Sequence, residues 1–253
     1  MKNAFRELRR RPQRFLAVTA ALVVLTVLLL FLGALLDGLY IGATGAFRAQ
    51  KASLFVYASD ANDSAIRSRI GPATRAQVEG VPGVTTVGGL GISLLGAKVP
   101  GETDLADTAV IGYQRAADGV PAPPPTGSAW ADRRLEGFGV EQGDVLEVGP
   151  QKVRIKVAGW VEDTNYLLQG ALWTDAETWR RTQNASRPDA QFTPGEFQIL
   201  VVDSSGDAHA VAKRIDAATD GATTTLTKEE AILASPGQCG SGGVGPYPIR
   251  SRG

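Results

Sequence analysis

The chain has 253 residues with 26 basic and 26 acidic side chains, so its formal net charge is zero. This balance hides an asymmetry, because residues 1–14 hold six basic residues and one acidic residue, whereas the remainder holds 20 basic and 25 acidic residues. A domain with net negative charge lacks the clustered Lys and Arg that phosphate contacts need, which excludes nucleic acid as a partner. Cys239 is the only cysteine, so an intramolecular disulfide is excluded as well.

The first predicted element is an uncharged stretch at residues 15–36, 22 residues dominated by Leu, Val, Ala, Thr and Phe. A helix of about 20 apolar residues crosses the roughly 30 Å hydrocarbon core of a bilayer. A cleaved signal peptide is disfavoured because its apolar region usually has only roughly 7–15 residues. A buried helix of a soluble domain is disfavoured because the stretch is apolar all round and directly follows a basic segment. The stretch therefore predicts a transmembrane helix.

The segment before this helix, residues 1–14, is predicted to be a basic cytoplasmic leader. Arg9, Arg10, Arg11 and Arg14 are its topology signal, because cationic flanks of a span stay in the cytoplasm. We therefore expect a plasma (inner) membrane protein whose N-terminus is cytoplasmic and whose main domain is extracytoplasmic. An alternative role for the leader is a short helix that lies at the inner headgroup layer.

The transmembrane helix is predicted to extend to residue 47, giving a helical segment over residues 15–47. Small residues at four-residue intervals, Ala34, Gly38, Gly42 and Ala46, would share one face of this extension. Small residues at that spacing let a second helix approach closely, so they are candidate helix-packing residues. Chance spacing in a chain rich in Ala and Gly explains the pattern equally well.

Residues 48–237 are predicted to form an extracytoplasmic α+β domain, and residues 238–253, rich in Gly, Ser and Pro, to be disordered. A proline-rich connector at residues 121–125 (PAPPP) suggests a subdomain boundary near 118–127. Near the C-terminal end, strand, helix and strand patterns at 197–202, 207–219 and 223–226 predict a β-α-β unit. The other predicted strands are 53–58, 84–99, 109–113, 145–148, 152–161 and 171–173, and a further helix is predicted from Pro72 to about Gly80.

Three local motifs give sharper expectations. Thr174 with Glu177, and Thr227 with Glu230, have the spacing of helix capping boxes, and Trp179 is expected to pack inward from the helix that the first box begins. The run at residues 88–91 (GGLG) lacks the lysine and helix start of a phosphate-binding loop and is interpreted as a strand bulge.

The residue inventory does not favour an enzyme. No GxxxxGK[ST] loop for nucleotide hydrolysis is present, the only histidine is His209, and no GxSxG, HExxH or CxxC motif occurs. Glu162 and Asp163 are interpreted as residues that close a strand, although paired carboxylates for glycoside chemistry cannot be judged from sequence, since their spacing is set in three dimensions. We therefore predict no catalytic residues, no metal and no cofactor.

Six short motifs occur in a fixed order along roughly residues 3–237. These are residues 5–8 (FREL), 38–39 (GL), 82–84 (PGV), 139–144 (GVEQGD), 157–163 (VAGWVED) and 226–231 (LTKEEA). In their order and spacing, these motifs resemble the FtsX-like, or MacB-like, superfamily of ABC transporter permeases, most closely its DevC-type branch.

The resemblance implies a permease subunit with four transmembrane helices and a MacB-like periplasmic core domain between the first and second. It also implies an ABC ATPase subunit that acts in trans, a permease dimer and a mechanism in which ATP hydrolysis moves the outer domains. Export of a lipid, glycolipid, peptide or drug follows, often with an adaptor protein.

The sequence departs from this family after residue 237, where the second to fourth spans would be expected. We therefore expect a truncated form whose partner supplies the missing transmembrane half. The alternative is a single-span, membrane-anchored scaffold or adaptor whose outer domain binds an envelope partner.

Overall fold

A computed structural model describes residues 12–235 of the chain, with side chains from residue 18 onward. These residues fall into two compact units with the boundary between Ile41 and Gly42. Arg9, Arg10 and Arg11 of the predicted leader, and the predicted disordered segment 238–253, lie outside the described residues.

Helix α1 spans Pro12–Arg48. Its residues 12–41 are the described part of the first unit, and its residues 42–48 belong to the second unit. Its apolar side chains are exposed, as Leu29 and Leu30 illustrate at 68% and 69%. A continuous apolar surface of this kind is unfavourable in water. By length and composition, α1 is the one helix in the described part of the chain that can cross a membrane.

The second unit is a mixed α+β domain, which confirms the predicted fold class. Its strands are β1 Leu54–Ala58, β2 Val84–Lys98, β3 Leu105–Tyr113, β4 Ser128–Asp132, β5 Val145–Val148, β6 Val153–Val161, β7 Gly170–Asp175, β8 Ile199–Ser204 and β9 Thr223–Thr227. Its helices are α2 Pro72–Glu79, α3 Ala176–Ser186, α4 Ala208–Ala218 and α5 Lys228–Ala234.

Six strands of this domain close into a barrel. Around the barrel, β2 pairs with β3, β3 with β7, β7 with β4, β4 with β6, β6 with β5, and β5 pairs with β2 again. The β3–β7 and β4–β6 pairs are parallel and the others antiparallel. Buried Val110, Leu146, Ile155 and Leu172 form part of the core, and Trp179 of α3 packs against them, as predicted for this residue.

The remaining strands form a four-stranded sheet with residues 84–90 of β2, in the order β2-β8-β1-β9 and antiparallel throughout. Helices α2 and α4 bury Val78, Val211 and Ile215 against the strands. Since β8 and β9 both run antiparallel to the strand between them, they are parallel to each other. This arrangement confirms the predicted strand, helix and strand order of the β-α-β unit.

Strand β2 belongs to both the barrel and the four-stranded sheet, and two of its glycines lie against aromatic rings and not at the predicted bulge. The register irregularity in this strand lies between Val84 and Thr86, not in the GGLG run. A Cβ on Gly89 would come within 2.2 Å of the Phe197 ring, and one on Gly91 within 2.2 Å of the Trp179 ring. The bulge interpretation of residues 88–91 was therefore wrong, because these glycines make room for buried aromatic rings.

The predicted capping box at Thr174 is also wrong, whereas the one at Thr227 is confirmed. Thr174 is a buried β7 residue whose hydroxyl donates to Ile111 O at 3.3 Å. Helix α3 starts one residue later than expected, and the carboxylate of Asp175 accepts from the first free N–H groups of the helix. The connector at residues 118–127 joins β3 to β4, two strands of the same barrel.

Candidate functional site at the C-terminal end of α1

The end of α1 is held inside the second unit by the loop between β6 and β7. We refer to residues 42–48 of α1 and loop residues 162–169 together as the clasp. Backbone groups make the contact directly, which fixes the position of the helix end independently of side-chain rotamers. The hydrogen bonds join Ala46 N to Asn165 O (2.9 Å), Leu167 N to Ala43 O (3.1 Å) and Leu168 N to Gly42 O (2.9 Å).

Two glycines of α1 make this backbone contact sterically feasible. An added Cβ at Gly45 would lie 2.6 Å from Asp163 O and 2.8 Å from Asn165 O. One at Gly42 would lie 2.7 Å from the Leu168 Cδ2 atom. Since backbone carbonyls cannot rotate away, the position of Gly45 tolerates no larger residue without displacement of the loop.

The loop adopts an unusual backbone conformation. Asp163, Leu167 and Leu168 have φ values of 55°, 49° and 66°, in the left-handed region that non-glycine residues rarely occupy. Each such residue costs of order 1 kcal/mol or more and persists only where its surroundings hold it. The hydrogen bonds to α1 supply that restraint for the two leucines.

An aromatic cluster extends the clasp to the four-stranded sheet. The Phe47 ring stacks on the Phe55 ring of β1, with ring centroids 5.2 Å apart, and on the Tyr166 ring of the loop, with ring centroids 5.7 Å apart. All three rings are buried. Burial raises the pKa of Tyr166 to about 12 and raises the pKa of nearby Tyr57 further, so both phenols are neutral near pH 7. The helix end, the sheet and the loop thus share one apolar contact.

Asp132 connects the loop to the barrel. This buried carboxylate at the end of β4 accepts from both the N–H and the hydroxyl of Thr164, each at 2.8 Å. Its other oxygen accepts from Arg134 N at 3.0 Å and caps the following turn. The loop that binds the end of α1 is therefore also hydrogen-bonded to the end of β4.

The carbonyls of the two residues that follow α1 are bound by other parts of the domain. The Lys228 ammonium at the start of α5 donates to Gln50 O at 2.5 Å, and Asp118 N donates to Ala49 O at 2.7 Å. The segment directly after α1 is thus joined to the β3–β4 connector and to α5.

The predicted helix-packing residues divide between the two units. Ala34 and Gly38 lie exposed on α1, and their packing against a second helix stays a prediction. Gly42 and Ala46 are buried by the β6–β7 loop, and packing of a second helix against them likewise stays a prediction. Arg14 lies within α1, and its topology role also stays a prediction.

Sequence reasoning did not identify Asp132, Asn165 or Tyr166 as parts of this site. The small residues of α1 signalled a close contact, but no local pattern indicated which segment makes it.

Glu162, interpreted as closing a strand, follows β6, and its Oε1 atom lies 2.9 Å from Arg133 Nε in an ion pair. Among residues 12–235, no group of three or more His, Cys, Asp or Glu side chains is placed to hold a metal ion.

Comparisons with known proteins give structural similarities only, since no family model and no curated protein matches the sequence. The chain is similar to the periplasmic region of MacB from Actinobacillus actinomycetemcomitans, with 10% identity, a TM-score of 0.49, and coverage of 72% of this chain and 91% of that one. It is also similar to the extracellular domain of the noncanonic ABC-type transporter YknZ from Gram-positive bacteria, with 12% identity, a TM-score of 0.47, and coverage of 69% and 98%. A domain of a permease protein from Porphyromonas gingivalis gives 11% identity, a TM-score of 0.37, and coverage of 66% and 81%.

Proposed function

We propose that this chain is a permease subunit of an ABC transporter of the FtsX-like, MacB-like type, and of its DevC-type branch. In this proposal α1 spans the plasma membrane, residues 1–14 lie in the cytoplasm and the α+β domain lies outside. A separate ATPase subunit hydrolyses ATP, and motion of the outer domain drives export of a lipid, peptide or drug-like substrate. A second permease chain and an adaptor protein complete the assembly.

The observation that carries the proposal is the clasp. A domain tethered by a flexible linker would not respond to a shift of its anchor, since the linker would absorb the motion. Here α1 is helical as far as Arg48, and its last residues make backbone hydrogen bonds with the domain. Such a contact supports transmission of helix motion to β4 through Thr164 and Asp132.

The motifs noted in the sequence provide the second support. The segment 157–163 (VAGWVED) forms the end of β6 and the start of the clasp loop, and the segment 226–231 (LTKEEA) contains the confirmed capping box of α5. One of the motifs that resemble the permease family therefore lies beside the loop that contacts α1, and a second contains Lys228, which binds Gln50 directly after α1.

The proposal is tested by purifying the tagged full-length chain from membranes of the cell that encodes it. We expect an ATPase subunit with a GxxxxGK[ST] loop to co-purify in a fixed ratio, with ATP hydrolysis that orthovanadate inhibits. The control is the double variant Leu25→Arg and Leu29→Arg, which should not enter the membrane and should recover no ATPase.

A chain that purifies reproducibly without any nucleotide-binding subunit would contradict the permease proposal. If it instead retained one envelope protein in a fixed ratio, the single-span scaffold or adaptor would become the better interpretation.

A further inference from the structure

An apolar cavity of about 570 Å³ opens on the barrel beside β2 and the β5–β6 turn. Leu95, Gly96, Leu105 and Pro150 line it. Its volume is within the roughly 300–1,000 Å³ range of small-molecule pockets. Lys98 and Lys152 lie at the cavity, and long side chains of this type can cover apolar surface with their methylene groups. The cavity suits a hydrocarbon chain.

A second cavity of about 300 Å³ adjoins the first and has a mixed lining that is more polar than that of the first, so we call it the polar cavity. It shares Leu95 and Pro150 with the apolar cavity, and its other lining residues are the apolar Ile66, Ile92 and Leu94 and the polar Ser93, Gln183, Ser186 and Arg187. The adjacency is visible at Gly149, where an added Cβ would lie 2.9 Å from Ser186 Oγ and 3.6 Å from Leu95 Cδ1. The two cavities therefore lie side by side on the same part of the barrel.

The polar cavity is organised by buried side chains. Ser93 and Gln183 are only 4% and 7% exposed, and the Ser93 hydroxyl donates to Gln183 Oε1 at 2.6 Å. Trp179 Nε1 donates to the Ser93 hydroxyl at 3.0 Å. These hydrogen bonds fix the polar wall next to the apolar cavity.

The basic side chains at the two cavities differ in whether their donors have partners within the described residues. Lys152 pairs with Glu147 at 3.4 Å, and the Lys98 ammonium donates to Thr103 O at 3.1 Å. The Arg187 guanidinium, by contrast, is exposed and makes no ion pair or hydrogen bond within residues 12–235. Lys98 has no ion pair either, but backbone carbonyls occupy its ammonium, so the cation with unoccupied donors among the described lining residues is Arg187 at the polar cavity.

We propose that the two cavities form a binding site for a fatty carboxylate, with its alkyl chain against Leu95 and Leu105 and its carboxylate beside Arg187 and Ser186. An arginine guanidinium provides paired N–H donors that match a carboxylate. The proposal goes beyond transport, because binding at this site requires neither an ATPase nor the clasp.

The test uses the full-length chain reconstituted in lipid nanodiscs and a decanoic acid derivative that carries a photoreactive diazirine. Irradiation followed by mass spectrometry of peptides identifies the labelled residues. We expect labelling within residues 93–105 and 147–152, and we expect decanoate to displace it at a concentration about tenfold lower than decanol, which lacks the charge.

Two pairs of variants separate the parts of the site. Leu105→Asp should weaken labelling at these residues at least about tenfold, because a carboxylate disfavours an alkyl chain, whereas Leu233→Asp should leave it unchanged. The two leucines are matched controls, being 61% and 60% exposed. Arg187→Gln should abolish the preference for decanoate over decanol, whereas Arg181→Gln, at an exposed arginine within α3, should preserve it.

Labelling confined to α1 or spread evenly over the domain would overturn the proposal, since it would show partition into lipid or non-specific contact. Equal losses in Leu105→Asp and Leu233→Asp would overturn the assignment of the alkyl chain to the apolar cavity. Equal displacement by decanoate and decanol would overturn the role of Arg187. None of these outcomes depends on recovery of an ATPase, so they are distinct from failure of the transport proposal.

Discussion

At the scale of single residues, Gly45 is the position where the clasp is most sensitive to volume. We predict that Gly45→Ala destabilises the outer domain by about 1–3 kcal/mol, the usual cost of overpacking, even though alanine favours a helix by about 1 kcal/mol over glycine. The reason is that the added methyl group would meet two backbone carbonyls within 3 Å. Thermal unfolding followed by tryptophan fluorescence measures the change, since all four tryptophans lie in the second unit.

Gly38→Ala is the matched control, because it makes the same substitution in the same helix. An added Cβ at Gly38 has no heavy atom within 4 Å in the described structure. This variant should leave the unfolding temperature unchanged or slightly raised. If both variants unfolded at the same temperature as the unmodified chain, the close contact at Gly45 would be refuted.

Asp132 is the second residue whose role can be isolated. We predict that Asp132→Ala costs about 2–4 kcal/mol, because it leaves donors of Thr164 and Arg134 without their partner and removes a turn cap. Thr164→Val removes only the hydroxyl and should cost about 1 kcal/mol. A double-mutant cycle with the two substitutions, measured by urea unfolding, should give a coupling energy of at least about 0.5 kcal/mol. Strictly additive effects would show that the two side chains do not act together.

At the scale of elements, two carboxylates accept hydrogen bonds from outward-facing backbone N–H groups of the edge strand β9. It pairs with β1 on one side. On the other side, Thr225 N donates to Asp216 Oδ2 at 3.3 Å and Thr227 N donates to Glu230 Oε2 at 2.8 Å. Unpaired edge N–H groups promote association with other strands, and occupied ones do not. The carboxylates of α4 and α5 therefore limit edge-to-edge pairing of this sheet.

The capping box of α5 gives a pH prediction. The hydrogen bond from Thr227 N is the main reason that the pKa of Glu230 is lowered from its ordinary value. A carboxyl group with a lowered folded-state pKa stabilises the fold fully above its unfolded pKa of about 4.3, and this stabilisation is lost as the pH falls through the folded-state pKa. We therefore predict that Glu230→Gln reduces stability at pH 7 but flattens its decline below about pH 4.3. Urea midpoints measured from pH 7 to pH 3 test this, and parallel curves for the two proteins would contradict it.

Much of each element follows from local sequence. Pro72 begins α2, Thr227 and Glu230 cap α5, and the apolar and polar alternation of residues 152–161 gives β6, because each depends on residues a few positions apart. Barrel closure could not be predicted in the same way, since β2 pairs with β5 through only Ala97 and Lys98. The site was least predictable, because Ala46 and Asn165 are distant in sequence, and a small residue indicates a close neighbour without identifying it.

At the scale of the whole molecule, the two units have opposite relations to water. The outer domain buries its large apolar side chains in the barrel and beneath α2 and α4. Helix α1 exposes a continuous series of leucines, valines and phenylalanine instead. A soluble chain with such a helix would aggregate, so the helix requires an apolar surrounding that the described residues do not provide.

The double variant Leu25→Arg and Leu29→Arg tests whether that surrounding is a bilayer. Both residues lie on one face of α1 near the middle of the apolar stretch, four positions apart. Each charge at a helix centre costs roughly 2.5–3.5 kcal/mol on insertion scales, so the two together should prevent insertion. The unmodified chain should remain with membranes after alkaline carbonate extraction, and the variant should be released. Leu25→Ala with Leu29→Ala should stay in the membrane, because it keeps the stretch uncharged. If the double-arginine variant resisted extraction as well as the unmodified chain does, the spanning helix would be refuted, because two unpaired charges near the centre of a spanning helix should prevent its insertion into the bilayer.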